Sequence, residues 1–170
     1  YVPYDDEGTK ARKNYLIKNG VLAGRLHNAQ TAAALDEELT GNARAVDCTF
    51  EPIVRMTNTY IEAGDLTFEE MLAPIQKGYF IKTISHGSGM STFTIAPRLA
   101  YEIKDGKLGR PVQISVITGN VFETLGQIDG LTRDVHMLSF VTGGCGKMEQ
   151  AGLPVGFGGP YVRVSSMNVQ

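Results

Sequence analysis

The sequence predicts an α+β fold: a predominantly antiparallel, curved or barrel-like β-sheet with a few short helices. Three observations carry that expectation. Asn19-Gly20 and Asp105-Gly106 each sit between apolar runs, and such pairs mark hairpins because a type I′ turn needs φ > 0 at both central residues. Several stretches alternate apolar and polar residues with period 2, the pattern of half-buried strands. Glycine occurs 20 times in 170 residues, well above ordinary usage, which implies many tight turns.

Composition bounds the rest. The length fits one domain, 1–170, large enough to bury a core. Hydrophobic residues make up 42% and charged ones 20%, a globular balance. The net charge is −2, with 16 basic and 18 acidic side chains and no block of like charges. Nucleic acid and membrane surfaces are therefore not expected partners. Cys48 and Cys145 stand far apart, so no disulfide framework is expected and a reducing, cytoplasmic compartment is the simpler assumption. No apolar run is long enough to cross a bilayer, and no signal peptide opens the chain. Tyr1 is not a methionine, and the opening residues read as mid-chain sequence, so a piece of a longer protein is expected.

In chain order, Asp5-Asp6-Glu7-Gly8-Thr9 reads as a turn, because carboxylates at alternating positions, the metal-loop pattern, are absent. Residues 15–24 form the first hairpin around Asn19-Gly20. Residues 101–108 repeat much of the same phrase, with Tyr, Ile, Lys, Gly and Leu at matching places. The second hairpin is preceded by Phe93, Ile95, Leu99, Tyr101 and Ile103 and followed by Val112, Ile114 and Val116, all in period 2. Together the two suggest related corners of one curved sheet.

Three helices are expected. The first spans 30–39 and stops at Thr40-Gly41-Asn42. The second opens on a capping box, Thr67 with Glu70, carries an apolar stripe of Phe68, Met71, Leu72 and Ile75, and is ended or kinked by Pro74. The third spans 120–128, interrupted by Gly126. Strands are expected at 79–84, 136–141 and 161–164.

Chemistry concentrates at 142–160, where Cys145 lies between glycines and is followed by Lys147, Glu149 and Gln150. A thiol held stiffly but left uncovered suits a metal ligand or a nucleophile; a small buried hydrophobe is the plainer alternative. His27, His86 and His136 are scattered, with no i, i+4 pair and no His-Glu-x-x-His motif. His27 and His136 read as structural or solvent-facing. His86 falls in what reads as a flexible Gly/Ser loop, 85–91, where a nucleophilic pairing with Cys145 is conceivable. Arg55, Thr57 and Asn58 are polar residues in an apolar neighbourhood. They suit contact with a peptide backbone, or equally the pinning of a loop by side-chain to backbone bonds.

The ordered series Asp6-Glu7-Gly8-Thr9, Leu16-Ile17-Lys18-Asn19-Gly20, Thr40-Gly41-Asn42, Arg55-Met56-Thr57-Asn58-Thr59-Tyr60, Ile117-Thr118-Gly119-Asn120, Cys145-Gly146-Lys147-x-x-Gln150 and Leu153-Pro154-Val155-Gly156 resembles the C-terminal domain of the TldD/PmbA family. These are zinc metallopeptidases once labelled modulators of DNA gyrase. The Arg-Met-Thr-Asn-Thr and Cys-Gly-Lys-x-x-Gln blocks resemble the metal-carrying TldD side.

The resemblance implies an upstream His-Glu-x-x-x-His helix whose histidines bind zinc and whose glutamate is the general base. It implies Cys145 as the third protein ligand, the open arrangement of a catalytic zinc, with Lys147 favouring the ionised thiol. That helix is not in these residues, so the isolated domain is expected to be inactive, with zinc absent or incomplete. The resemblance further implies unstructured peptides or unfolded protein as substrate and a chamber enclosed by a homodimer or a TldD–PmbA heterodimer. The residue types themselves, not the resemblance, offer Arg55, Thr57, Asn58 and His86 as substrate contacts, and the 85–91 loop departs from the family's usual Gly-rich, acidic-containing turn. Two other classes stay open: a non-catalytic structural or dimerisation domain of a PmbA (TldE)-like subunit, and a Cys-dependent hydrolase.

Overall fold

A computed structural model describes residues 2–170, apart from the side-chain surroundings of Thr142 and Gly143; the reading of Tyr1 lies outside the described residues. In chain order the elements are β1 (Ile17–Lys18), β2 (Val21–Leu22), α1 (Ala29–Leu35), β3 (Ala43–Arg44), β4 (Ile53–Val54), β5 (Asn58–Tyr60), α2 (Phe68–Leu72), β6 (Lys77–Gly89) and β7 (Thr92–Lys104). There follow β8 (Lys107–Val112), β9 (Ile117–Asn120), α3 (Val121–Gly126), β10 (Ile128–Leu131), β11 (His136–Lys147), β12 (Gln150–Gly159), β13 (Val162–Val164) and β14 (Asn168–Val169). The chain divides into two compact units, one of Tyr1–Tyr60 and Met137–Gly158, the other of Ile61–His136 and Gly159–Gln170. Strand-rich, with three short helices and mostly antiparallel pairing, the fold is α+β.

In the first unit the acidic turn is a backbone device. Asp5, 7% exposed, accepts from the N–H groups of Glu7, Thr9 and Ala43 at 3.1, 2.8 and 3.0 Å. The Asp6 carboxylate accepts from Ala45 N–H and that of Glu7 from Ala29 N–H. The Asn19-Gly20 hairpin forms as expected, with φ of 52° and 76°, pairing Lys18 with Val21.

Helix α1 ends at Leu35, four residues before the predicted stop. Asp36 takes the left-handed conformation at φ 53°, and the Glu37 N–H closes the last turn on the Ala32 carbonyl. Buried His27 then ties the ends of this segment together, with Nδ1 3.0 Å from Thr31 Oγ1 and Nε2 2.8 Å from Glu37 Oε2. That bond, helped by Arg25, holds the Glu37 carboxyl below its ordinary value. Strands β3 and β4 pair antiparallel. Strand β12 lies between β11 and β5 and pairs with β5 in parallel, Gly156 opposite Asn58.

In the second unit β6 and β7 form a thirteen-residue ribbon, with β9 and β8 on the other edge of β7 and β14 beyond β9. Residues 85–89, read from sequence as a loop, continue β6, with His86 opposite Ala96; the turn is confined to Met90-Ser91. Ladder bonds come from the backbone, so a partner strand already pinned by β9 overrides the low strand preference of Gly and Ser. The expected alternation along β7 is broken as well. Register shifts opposite Ile81–His86, and again between Tyr101 and Ile103, move the burial phase, because one inserted residue turns following side chains to the other face. Ile103 is buried as the alternation predicts, but Ala100 is buried where Leu99 and Tyr101 on either side are only half-buried. The core forms from Ala100, Ile114 and Ile117, packed by Ile81, Ile95, Val112 and Met167. Strand β8 stops at Val112, since Ser115 and Val116 bond to the chain end at Gln170.

The two similar hairpins do not share a sheet. β1 and β2 stand alone as a pair, whereas the Asp105-Gly106 turn joins β7 and β8 in the five-stranded sheet. The described strands form five sheets rather than one closed barrel.

Helix α2 carries its capping box, with Thr67 Oγ1 accepting from Glu70 N–H at 3.1 Å and Glu70 Oε2 accepting from Thr67 N–H at 2.7 Å; it stops before Pro74. Helix α3 is capped by the Asn120 side chain. Thr67→Ala is expected to cost about 1 kcal/mol, read from the denaturation midpoint. The Thr67 N–H bond holds the Glu70 carboxyl below its ordinary 4.5. A lowered folded-state value means stability present above the unfolded value and lost on acidification. The stability gap between wild type and Glu70→Gln is therefore expected to close as pH falls below 4.5. A gap that widened in acid would refute the capping bond.

Candidate functional site around Cys145

Cys145 lies near the end of β11, half-buried, in a hairpin whose turn is Met148-Glu149. Met148 takes φ 53° and is 83% exposed. Gly144, directly before the cysteine, takes φ 51°, and a Cβ there would come within 2.5 Å of the Gly152 carbonyl carbon and closer to the Leu153 oxygen. A side chain has no room at that position, so the first flanking glycine serves hairpin closure. A Cβ at Gly146 would meet only Ala151, at an ordinary contact distance of 3.8 Å or more.

The base of the hairpin is clamped from buried positions. The Arg55 guanidinium donates through Nη2 to the Cys145 carbonyl at 2.6 Å and through Nη1 to the Gln150 carbonyl at 3.2 Å. Gln150, 5% exposed, accepts from Val46 N–H at 3.1 Å and donates to the Glu51 carbonyl at 2.9 Å. Arg55 is held in turn by Asn42, whose Nδ2 donates to the Arg55 carbonyl at 3.0 Å and whose own carbonyl accepts from Arg55 N–H at 2.8 Å. Lys147, which sequence suggested as a neighbour to the thiol, donates instead to the Val54 carbonyl at 2.8 Å.

Arg44 is a further buried cation, 9% exposed, with Nη1 on the Met56 carbonyl at 2.7 Å. Burial lowers its affinity for protons; Asp6 and Cys145 attract its charge, and Arg55 repels it. Sequence reading passed over Arg44 and gave no structural duty to Asn42 or Gln150. The available signals were a Gln at fixed offset from the Cys and two arginines in weakly charged surroundings.

The other predicted residues are placed as follows. Arg55 is 2% exposed, and its guanidinium is occupied within the unit, so of its two expected roles the structure displays loop pinning. The Thr57 carbonyl accepts from Gly156 N–H at 2.8 Å. Asn58 is exposed at the start of β5, against Gly156. His86 is exposed on β6 in the second unit. His136 packs on Tyr161 with ring centroids 5.8 Å apart, a structural contact. Cys48 is exposed, and both thiols are free. A shallow hollow of about 300 Å³ lies against the hairpin, lined by Phe50, Glu51, Ile53, Met148, Glu149 and Gln150. A larger one, about 550 Å³, belongs to the second unit and is lined mainly by Phe68, Phe80, Tyr101 and Tyr161.

Cys145 fits zinc as a single ligand: its thiol has no disulfide partner, is not sunk in the core, and has Gly146 O at 3.8 Å as its one bonding contact among the described residues. Thiolate is a preferred zinc donor. Among the described residues no three His, Cys, Asp or Glu side chains gather as a metal site. No described helix is long and apolar enough to cross a membrane.

The chain is 41% identical over 167 residues to a metalloprotease of Synechocystis sp., covering 98% of this chain and 36% of that protein. It is 33% identical to a zinc metalloprotease TldD homolog of Saccharolobus solfataricus, covering 99% of this chain and 38% of the relative. The chain thus spans little more than a third of the length of these relatives. Among solved structures, TldE of Thermococcus kodakarensis shares the fold with a TM-score of 0.79 at 23% identity, covering 98% of this chain and 36% of that one. A proposed modulator of a DNA gyrase from Thermotoga maritima aligns with a TM-score of 0.71 at 25% identity, covering 99% and 35%. The family model described as the PmbA/TldA metallopeptidase C-terminal domain matches residues 1–170. With that match running the whole chain, this protein belongs to the PmbA/TldD family as its C-terminal domain.

Proposed function

We propose that this chain is the C-terminal domain of a TldD-like zinc-dependent peptidase acting on unstructured peptides. In this reading Cys145 supplies one zinc ligand and the domain lines part of the substrate chamber. The observation that carries the reading is the free, half-buried thiol of Cys145 on a hairpin clamped from buried positions. The metalloprotease names of relatives at 33% and 41% identity support it. The two histidine ligands and the general-base glutamate belong, in this reading, to an upstream part of the protein.

When bound, zinc supplies Lewis acidity and a nucleophile near neutral pH. The domain's own residues act by binding and orientation. Cys145 holds a negative donor at the metal; Thr57 and Asn58, beside the parallel β5–β12 pair, and exposed His86 are the proposed contacts to an extended peptide. Arg55, its donors taken up by backbone carbonyls, acts through the hairpin. The working form in this reading is a dimer, with itself or with a PmbA-type partner, in the cytoplasm.

The test measures zinc content and cleavage of an unfolded peptide by the full-length protein, its Cys145→Ala variant and the isolated domain. Full-length protein is expected to bind zinc and cut, the variant to lose both, and the domain alone to do neither. Zinc retained in full after Cys145→Ala would refute the ligand role, and metal-free cleavage by the domain would point to a cysteine nucleophile. A full-length protein that folds, binds no zinc and cuts nothing would favour the structural, TldE-like module.

A further inference from the structure

We propose that Arg55 is a positioning residue for the metal: it fixes the backbone of Cys145, and so the direction in which the thiol is presented. The inference rests on the reading of Cys145 as a zinc ligand. Its basis is the clamp itself. One guanidinium bonds the carbonyl of the ligand residue and the carbonyl of Gln150, on the two strands of one hairpin. Two donors in a rigid plane fix both the spacing and the relative orientation of those strands, which a single-point cation cannot do.

The clamp is anchored at every other point. Asn42, 4% exposed, holds the Arg55 main chain from both sides, and the Gln150 side chain ties the second strand to Val46 and Glu51. The turn beyond, at Lys147-Met148-Glu149, is open to solvent.

The chemistry of the arrangement argues against mere filling of the core. Arg55 has no carboxylate partner among the described residues; its charge is met by neutral carbonyls alone. A buried charge without a counter-ion is costly; an apolar side chain of similar volume would avoid that cost but leave the Cys145 and Gln150 carbonyls without these donors. Groups that orient a metal ligand from behind are typically worth 10- to 100-fold in metal affinity.

The experiment uses the full-length protein loaded with cobalt(II), whose thiolate charge-transfer absorption reports the sulfur–metal bond, alongside zinc affinity by chelator competition. Arg55→Lys, which keeps the charge but loses the two-point bond, is expected to fold, weaken and shift the charge-transfer band, and lower zinc affinity about 10- to 100-fold. A folded Arg55→Lys protein with unchanged band and affinity would overturn the proposal. Cys145→Ser separates the two readings: if it keeps the band and the affinity, the ligand assignment fails whatever Arg55 does. Should Arg55→Lys not fold, Asn42→Ala carries the test, since it removes the side-chain bond that holds the Arg55 main chain and so loosens the clamp while leaving the Arg55 side chain intact. A loss of zinc affinity with a shifted band supports the clamp, and an unchanged site refutes it.

Discussion

Alanine at Gly144 is expected to destabilise the first unit by about 3 kcal/mol or more and to loosen the Cys145 hairpin. Two costs add. The left-handed φ of 51° carries roughly 1–2 kcal/mol for a residue with a Cβ. The added methyl also meets backbone, the Gly152 carbonyl carbon and the Leu153 oxygen, and backbone cannot rotate aside as a side chain can. Overpacking of this kind costs about 1–3 kcal/mol. Gly146→Ala is the internal control: it lacks a positive φ and meets only Ala151, at ordinary contact distance, so its effect is expected to stay within about 1 kcal/mol. Denaturant midpoints of the two variants, with the rate of Cys145 alkylation as a local readout, decide the matter. Equal midpoints would show that the hairpin is not closed as described.

Asp5→Ala is expected to cost about 3 kcal/mol or more. The carboxylate accepts three N–H groups, those of Glu7, Thr9 and Ala43, from a position 7% exposed. Truncation removes all three partners together, and each buried donor left unsatisfied costs about 1–3 kcal/mol, with some recovered where water can enter. Asp5→Asn keeps one carbonyl oxygen for Glu7 and Thr9 but turns a donor or nothing toward Ala43, and should fall between. The bond to Ala43 also sets the approach of β3, whose Arg44 neighbours the cysteine, so loss of stability here should be accompanied by faster Cys145 alkylation. If Asp5→Ala unfolds at the wild-type midpoint, the turn is not anchored by its carboxylate.

Local signals transferred well from sequence to structure. Asn19-Gly20 and Asp105-Gly106 became turns with both central residues at positive φ, because that preference is a property of the dipeptide itself. The Thr67–Glu70 box closed as written for the same reason: both partners lie within one helical turn. Element ends and faces transferred poorly. Helix α1 stopped at Leu35, with Asp36 in the left-handed conformation and Glu37 bonded to His27 from outside the helix, a partner that nothing within the helix records. The 85–89 stretch became strand because β7 was there to receive it.

The sequence by itself determined the fold class, the two hairpins, the capped second helix and the family-like series ending in Cys-Gly-Lys-x-x-Gln. All of these are written in neighbouring residues or in ordered spacing. Only the tertiary structure decided that the hairpins belong to different sheets, that bulges shift the buried face of β7, and that Arg55 joins Cys145 to Gln150. A bond across some ninety positions, such as Arg55 to Cys145, leaves no local periodicity. Its partner is a backbone carbonyl, an atom every residue carries, so side-chain identities alone do not announce it.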